Sequence, residues 1–256
     1  MEYKLEYWKT LTSFSWGGHD ELAVFCEFVD VMFSVLVNGI VDYDDRPFFK
    51  HDRERKLKVM HQAMQELGDE MERRPFRDLL GPVHQDIAGR SSRQNLGSFY
   101  TPDEISDAMA AMTMSSSDLK EKVERGEVVS VSDPAVGSAR TLLSMAKQMS
   151  DHLHLLRCHC VDIELIACKM AFINLSLWDI PAIVIHGDSM QLKTYNAWIT
   201  PHLVRIQQEE KRDEAFRRLF AMIQPDGSVE EVISSVPEPS VEPSLPCTQQ
   251  LEFNFS

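Results

Sequence analysis

Three short stretches place a carboxylate at the end of an apolar run, where ligands of an open parallel sheet bind. In Asp133-Pro134-Ala135-Val136-Gly137-Ser138-Ala139 the glycine lets backbone approach a ligand closely, and the small residues beside it leave room. Asp162 closes an apolar run, where an acidic side chain can accept hydrogen bonds from ribose hydroxyls. Gly187-Asp188 closes another, where a carboxylate can face the amino group of an adenine. The glycine turn is not the dinucleotide pattern, because no G-x-G-x-x-G occurs, and not a P-loop, because no G-K-[ST] follows. Each acidic residue alone also suits a helix cap or a turn. Their ordered recurrence is what points to a site.

A different chemistry is offered by Cys158-His159-Cys160, with His152, His154 and Asp162 nearby. On a strand alternate residues share a face, so Cys158 and Cys160 point the same way, buried cysteine is common, and no C-x-x-C partner exists. Core packing is expected there, and no metal. Met109, Met112, Met114, Met145 and Met149 are likewise read as core.

These loops need strands and helices to hold them. Val128 to Val131 reads as a short buried strand ending at Ser132-Asp133, and a helix follows from Ser138 to about His152. A second strand covers about Leu155 to Val161, with a helix from Glu164 to Leu177. A third is Ile183-Val184-Ile185. Strands alternating with helices indicate parallel βαβ units, with ligands at the carboxyl ends of the strands. Upstream, Thr101-Pro102 begins a helix with Asp103 and Glu104 in its favoured acidic first turn.

Residues 1–95 read as a helical prefix: an apolar stripe from Leu22 to Leu36, a second helix with Leu57, Met60, Met64 and Leu67 on one face, and a shorter piece bracketed by Pro75 and Pro82. Residues 96–222 form the ligand-binding unit, with an amphipathic helix over Lys211 to Met222. Residues 223–248, rich in Pro, Ser and Glu, read as a disordered linker, and 249–256 turn apolar again as a docking peptide.

With those elements in place, the chain resembles the adenine-N6 DNA methyltransferases, in particular the modification subunits of type I restriction systems. Gly97-Ser98-Phe99-Tyr100-Thr101-Pro102 is similar to that family's G-x-F/Y-T-P motif, and Asp133 to Ala139 to its D-P-x-x-G-S-G turn, with Ala139 replacing the last glycine. Asp162, Asn174-Leu175 and Gly187-Asp188-Ser189 match its ribose-binding acid, its N-L and its G-D-[ST]. Asp78-Leu79-Leu80-Gly81 is similar to its D-x-L-G. The resemblance implies an α/β, Rossmann-like S-adenosylmethionine-dependent methyltransferase sheet, incomplete here, preceded by a helical region. It implies cofactor contacts at Phe99, Tyr100, Thr101, Asp133, Pro134, Ala135, Gly137, Ser138, Asp162, Ile163 and Asp188.

The family grips the target adenine with an N/D-P-P-Y/F loop, whose polar groups accept from the amine while its aromatic ring stacks on the flipped base. No two prolines are adjacent in this chain. The nearest substitute is Asn196-Ala197-Trp198-Ile199-Thr200-Pro201, a surface turn or helix start by its composition, in which Asn196 would accept and Trp198 would stack. The expected activity is methyl transfer to adenine N6 in DNA, alone or with a partner subunit supplying the missing half. The competing class is an inactive methyltransferase-fold binding protein acting through DNA or protein partners. Gln250 to Phe255 resembles the Q-L-x-L-x-F peptides that hold the bacterial sliding clamp, with Phe253 in place of leucine.

The net charge of -14 opposes autonomous DNA binding, which needs clustered cations. The five cysteines lack disulfide-framework spacing and fit a reducing cytoplasm. No leader sequence and no membrane-spanning stretch are expected.

Overall fold

The computed structural model describes residues 5–39, 41–43, 46–91, 101–114 and 117–222. Among the described residues, α-helices come first: α1 (Glu6–Ser13), α2 (Glu21–Asn38), α3 (Arg53–Arg73), α4 (Gly81–Ser91), α5 (Asp103–Met114) and α6 (Ser117–Glu124). Strand β1 (Val129–Asp133) follows, then α7 (Arg140–Gln148), β2 (Leu156–Asp162), α8 (Leu165–Leu177), β3 (Ala182–Asp188), β4 (Lys193–Ile199) and α9 (Pro201–Met222). The sheet order is β1-β2-β3-β4, with the first three strands parallel and β4 antiparallel to β3. The fold is α/β with a Rossmann-like run of parallel strands behind a helical N-terminal region.

Local signals explain the element ends. Asp20 caps α2 by accepting from the Ala23 amide at 2.8 Å, and Gly39 stops it in the left-handed region, donating to the Val35 carbonyl at 2.8 Å. Pro82 is the second residue of α4, where its missing N–H costs nothing. Ala139 adopts a left-handed φ of 70°, so α7 begins at Arg140 and not at Ser138.

Helix α8 is buried along most of its length, from Ala167 to Ser176. It packs on β2 and β3 and on α2, where the Phe172 and Phe33 rings meet edge-on at 5.2 Å. Lys169 of α8 donates to Asp30 of α2 at 2.6 Å. One continuous buried cluster runs from Leu5 in the helical region to Val184 in β3. The N-terminal helices and the sheet therefore share a core.

Several expectations are corrected. The stretch between Pro75 and Pro82 holds turns and bends, and the helix starts at Gly81. The segment Asn196 to Ile199 is strand, because β3 offers its outer edge and the chain turns back tightly onto it. Pro201, and not Lys211, starts the last helix. Helix α6 was not expected, and its Leu119 and Val123, one turn apart, pack against the core. Met109 and Met112 are exposed on α5, whereas Met145 and Met149 are in the core. No helix among the described residues is long and apolar enough to cross a membrane.

Candidate functional site

Parallel pairing brings the carboxyl ends of β1, β2 and β3 side by side, with Asp133 opposite Cys160 and Asp162 opposite His186. The turn after β1 is fastened to β2 twice. The Val136 amide donates to the Val161 carbonyl at 2.9 Å, and the Gly137 amide donates to Asp162 Oδ2 at 2.8 Å. Gly137 sits at φ +55°, a conformation that favours glycine. The other oxygen of Asp162 accepts from the Glu164 amide at 2.9 Å, at the start of α8. Ile163, between them, is 61% exposed and stands at the mouth of the strand ends.

Asp133 is half-buried, and its Oδ1 accepts from the Ala135 amide at 3.1 Å. Burial pushes its carboxyl above the usual range, against the pull of that hydrogen bond, and the nearby charge of Asp162 adds to the rise. Asp188 accepts from the amides of Met190 and Gln191, both at 2.9 Å, and so closes the turn from β3 into β4. Gly187 is needed beside it, since a Cβ there would lie 2.5 Å from the Lys193 carbonyl oxygen at the β3–β4 bulge.

Below the turn lies a polar cluster that the sequence showed only in part. Asp78, Ser138 and Asn174 are buried, and Asn174 donates both to Asp78 Oδ1 at 3.0 Å and to the Ser138 carbonyl at 2.8 Å. Two of these residues were marked solely by family resemblance, and the structure gives the reason for their pairing. Arg140, which also donates to Asp78, offered no signal beyond a cation in an amphipathic helix.

A cavity of about 620 Å³ opens beside the turn. Six expected contacts line it: Thr101, Asp133, Pro134, Ala135, Gly137 and Ser138. The outer side of β1 and parts of α5 and α7 complete the wall. Asp162, Ile163 and Asp188 do not line that cavity and lie along the neighbouring strand ends. Phe99 and Tyr100 lie outside the described residues, as do Gln250 to Phe255 and the linker before them.

Asn196 and Trp198 are not brought to this place. Both are on β4, at the opposite edge of the sheet from β1. Asn196 is exposed opposite His186, and the Trp198 indole packs edge-on against Phe33 at 5.1 Å. Cys158 and Cys160 are buried on one face of β2, with burial pushing the Cys158 thiol up to about 12. No metal-binding group of His, Cys, Asp or Glu occurs among the described residues.

No curated protein sequence matches the chain. Solved structures similar to it include two methyltransferases. One, from Listeria monocytogenes, is described as a class I S-adenosylmethionine-dependent methyltransferase and is 15% identical over 69% of this chain and 50% of that one, with a TM-score of 0.43. The other is the methyltransferase subunit of a type I restriction-modification system of Streptococcus thermophilus, 15% identical over 68% of this chain and 36% of that one, at 0.36. The chain thus spans half or less of the length of either. The family described as N-6 DNA Methylase matches residues 77–209, from the residue before Asp78 through all four strands into α9. Matched over half its length, across the glycine turn and all three strand-end carboxylates, the chain belongs to the N-6 DNA methylase family.

Proposed function

We propose that this protein is the S-adenosylmethionine-binding component of a methyltransferase acting on adenine N6 in DNA, working in the cytoplasm with a partner subunit. The observation that carries the reading is the glycine turn clamped to Asp162 beside Asp133 and Asp188. The donor set suits the cofactor. A carboxylate has about four acceptor sites, and the Gly137 and Glu164 amides use two at Asp162, leaving two for ribose hydroxyls. Asp133 suits the ammonium of the methionine moiety, Ile163 offers an apolar face to the adenine ring, and Thr101, Pro134, Ala135 and Ser138 wall the space. Phe99 and Tyr100 are assigned to the same pocket by resemblance. When bound, S-adenosylmethionine supplies an electrophilic methyl group, and the chain's part is to hold and orient it.

The grip on the target base is assigned to the partner subunit. The placement of Asn196 and Trp198 on β4 supports that division and also favours a second reading, a family member that binds the cofactor without transferring it. Calorimetry with S-adenosylhomocysteine tests the first claim. Wild type is expected to bind and Asp162→Ala to lose roughly tenfold or more, the value of a hydrogen bond to a charged group. Identical behaviour of the two, or no binding at all, rejects it. Transfer of labelled methyl to DNA, with candidate partner subunits added, tests the second. Cofactor binding with no transfer under any pairing leaves the binding-protein reading. For Gln250 to Phe255 the clamp-docking role stands as a proposal from resemblance.

A further inference from the structure

A single buried carboxylate receives five donors beneath the glycine turn. Asp78 Oδ1 accepts from the amides of Leu80 at 3.2 Å and Gly81 at 2.9 Å and from Asn174 Nδ2 at 3.0 Å. Its Oδ2 accepts from Ser138 Oγ at 2.5 Å and from Arg140 Nη2 at 3.1 Å. The side chain is fully buried, so this anion owes its tolerance to those donors. Each donor belongs to something that must be placed. Leu80 and Gly81 open α4, Asn174 comes from α8, and Ser138 and Arg140 flank the end of the turn.

Arg140 extends the cluster upward. Its side chain is 10% exposed. Nη1 donates to the Thr101 carbonyl at 2.7 Å, and Nε lies 3.2 Å from Asp103 Oδ1, a charge contact and not an aligned hydrogen bond. The planar guanidinium therefore ties the Thr101 segment and the start of α5 to the carboxylate that holds Ser138. A lysine ammonium has no such fork. On the far side, the Tyr7 hydroxyl of α1 donates to the Leu79 carbonyl at 2.8 Å, so the first helix is fastened to the same loop.

We propose that Asp78 and Arg140 are positioning residues for the ligand turn. Asp78 fixes Ser138 and Asn174 under Gly137, and Arg140 locks the Thr101 wall of the cavity to that support. The turn then has its binding geometry only while the helical region is docked. Local order at the turn is claimed independently of any ligand; the consequence for affinity rests on the cofactor reading given above.

Hydrogen–deuterium exchange on the full chain separates these. In Arg140→Lys, which keeps the charge and loses the fork, peptides covering 101–107 and 134–141 are expected to exchange roughly tenfold faster, while 182–199 is unchanged. Asp78→Asn, which turns an NH2 donor toward those donors in place of an accepting oxygen, should extend the effect into α1 and α4. If Asp78→Asn fails to fold, Arg140→Lys still decides. Unchanged exchange at the turn, or a uniform rise over every peptide, overturns the proposal. S-adenosylhomocysteine affinity should fall roughly tenfold in Arg140→Lys, and equal affinity with wild type also overturns it. If wild type binds no S-adenosylhomocysteine, the cofactor reading fails, and the exchange pattern alone decides the positioning claim.

Discussion

Gly81 is the residue on which the support of the turn is most sensitive to a single methyl group. A Cβ there would lie 2.3 Å from both Asp78 Oδ2 and Ser138 Oγ, two buried polar atoms bonded to each other. Gly81→Ala must separate them, and a loss of about 2–3 kcal/mol is expected in urea unfolding, the scale of overpacking plus a broken buried hydrogen bond. His84, one turn further along α4, gives a pH signature. Its ring stacks on Phe25 at 5.7 Å, and burial depresses its pKa below the ordinary 6.5, partly offset by the charge of Glu164. On acidification the unfolded chain takes up the proton first. The stability His84 contributes is therefore complete above its ordinary value and is lost as pH falls toward the depressed one. Urea midpoints measured between about pH 8 and about pH 5 should drop, and His84→Gln should flatten the lower part of that curve. At this scale the sequence was informative where chemistry is local. Asp133, Asp162 and Asp188 stand at strand ends as their spacing implied. Arg140 was invisible because its partners are at positions 78, 101 and 103, and a cation on an amphipathic helix reads as a solvated one.

Among the elements, β4 shows how a strand can hide. Its residues Lys193 to Asn196 are exposed and only the later ones are half-buried, so no alternation marks it. The signals that define it are not its own: Gly187 permits the bulge, and Thr200 fastens its end by accepting from the Ala182 amide at 2.9 Å and donating to the Ile180 carbonyl at 2.8 Å. The parallel strands were legible because each is a compact apolar run next to a helix in sequence. Trp198 separates packing from base contact. Trp198→Ala removes its aromatic partnership with Phe33 and should cost about 2 kcal/mol in thermal or urea unfolding. Affinity for S-adenosylhomocysteine should stay within about twofold of wild type, given the distance of β4 from the glycine turn in strand order. A large affinity loss with intact stability would return Trp198 to the site.

For the molecule as a whole, composition suggested a helical prefix followed by a separate binding unit. The change of pattern is real, yet the buried cluster crosses it, through Phe33 against Phe172 and through Asp78 under Ser138. Sequence periodicity shows which face of a helix is apolar and is silent on which neighbour covers it. A fragment covering 97–222 should accordingly lose cooperative melting by circular dichroism and expose apolar surface to a hydrophobic dye, whereas residues 1–222 should melt in one transition.

The position of β1 at the end of the sheet has a practical meaning for anyone handling the protein. Val129-Ser130-Val131-Ser132 carries neither the lysine nor the proline that commonly guard such borders, and among the described residues no strand lies beyond it. Exposed Val128 precedes the strand, and half-exposed Met109 lines the cavity beside it. Concentrated stocks will first go cloudy along this seam, as light scattering against protein concentration will read.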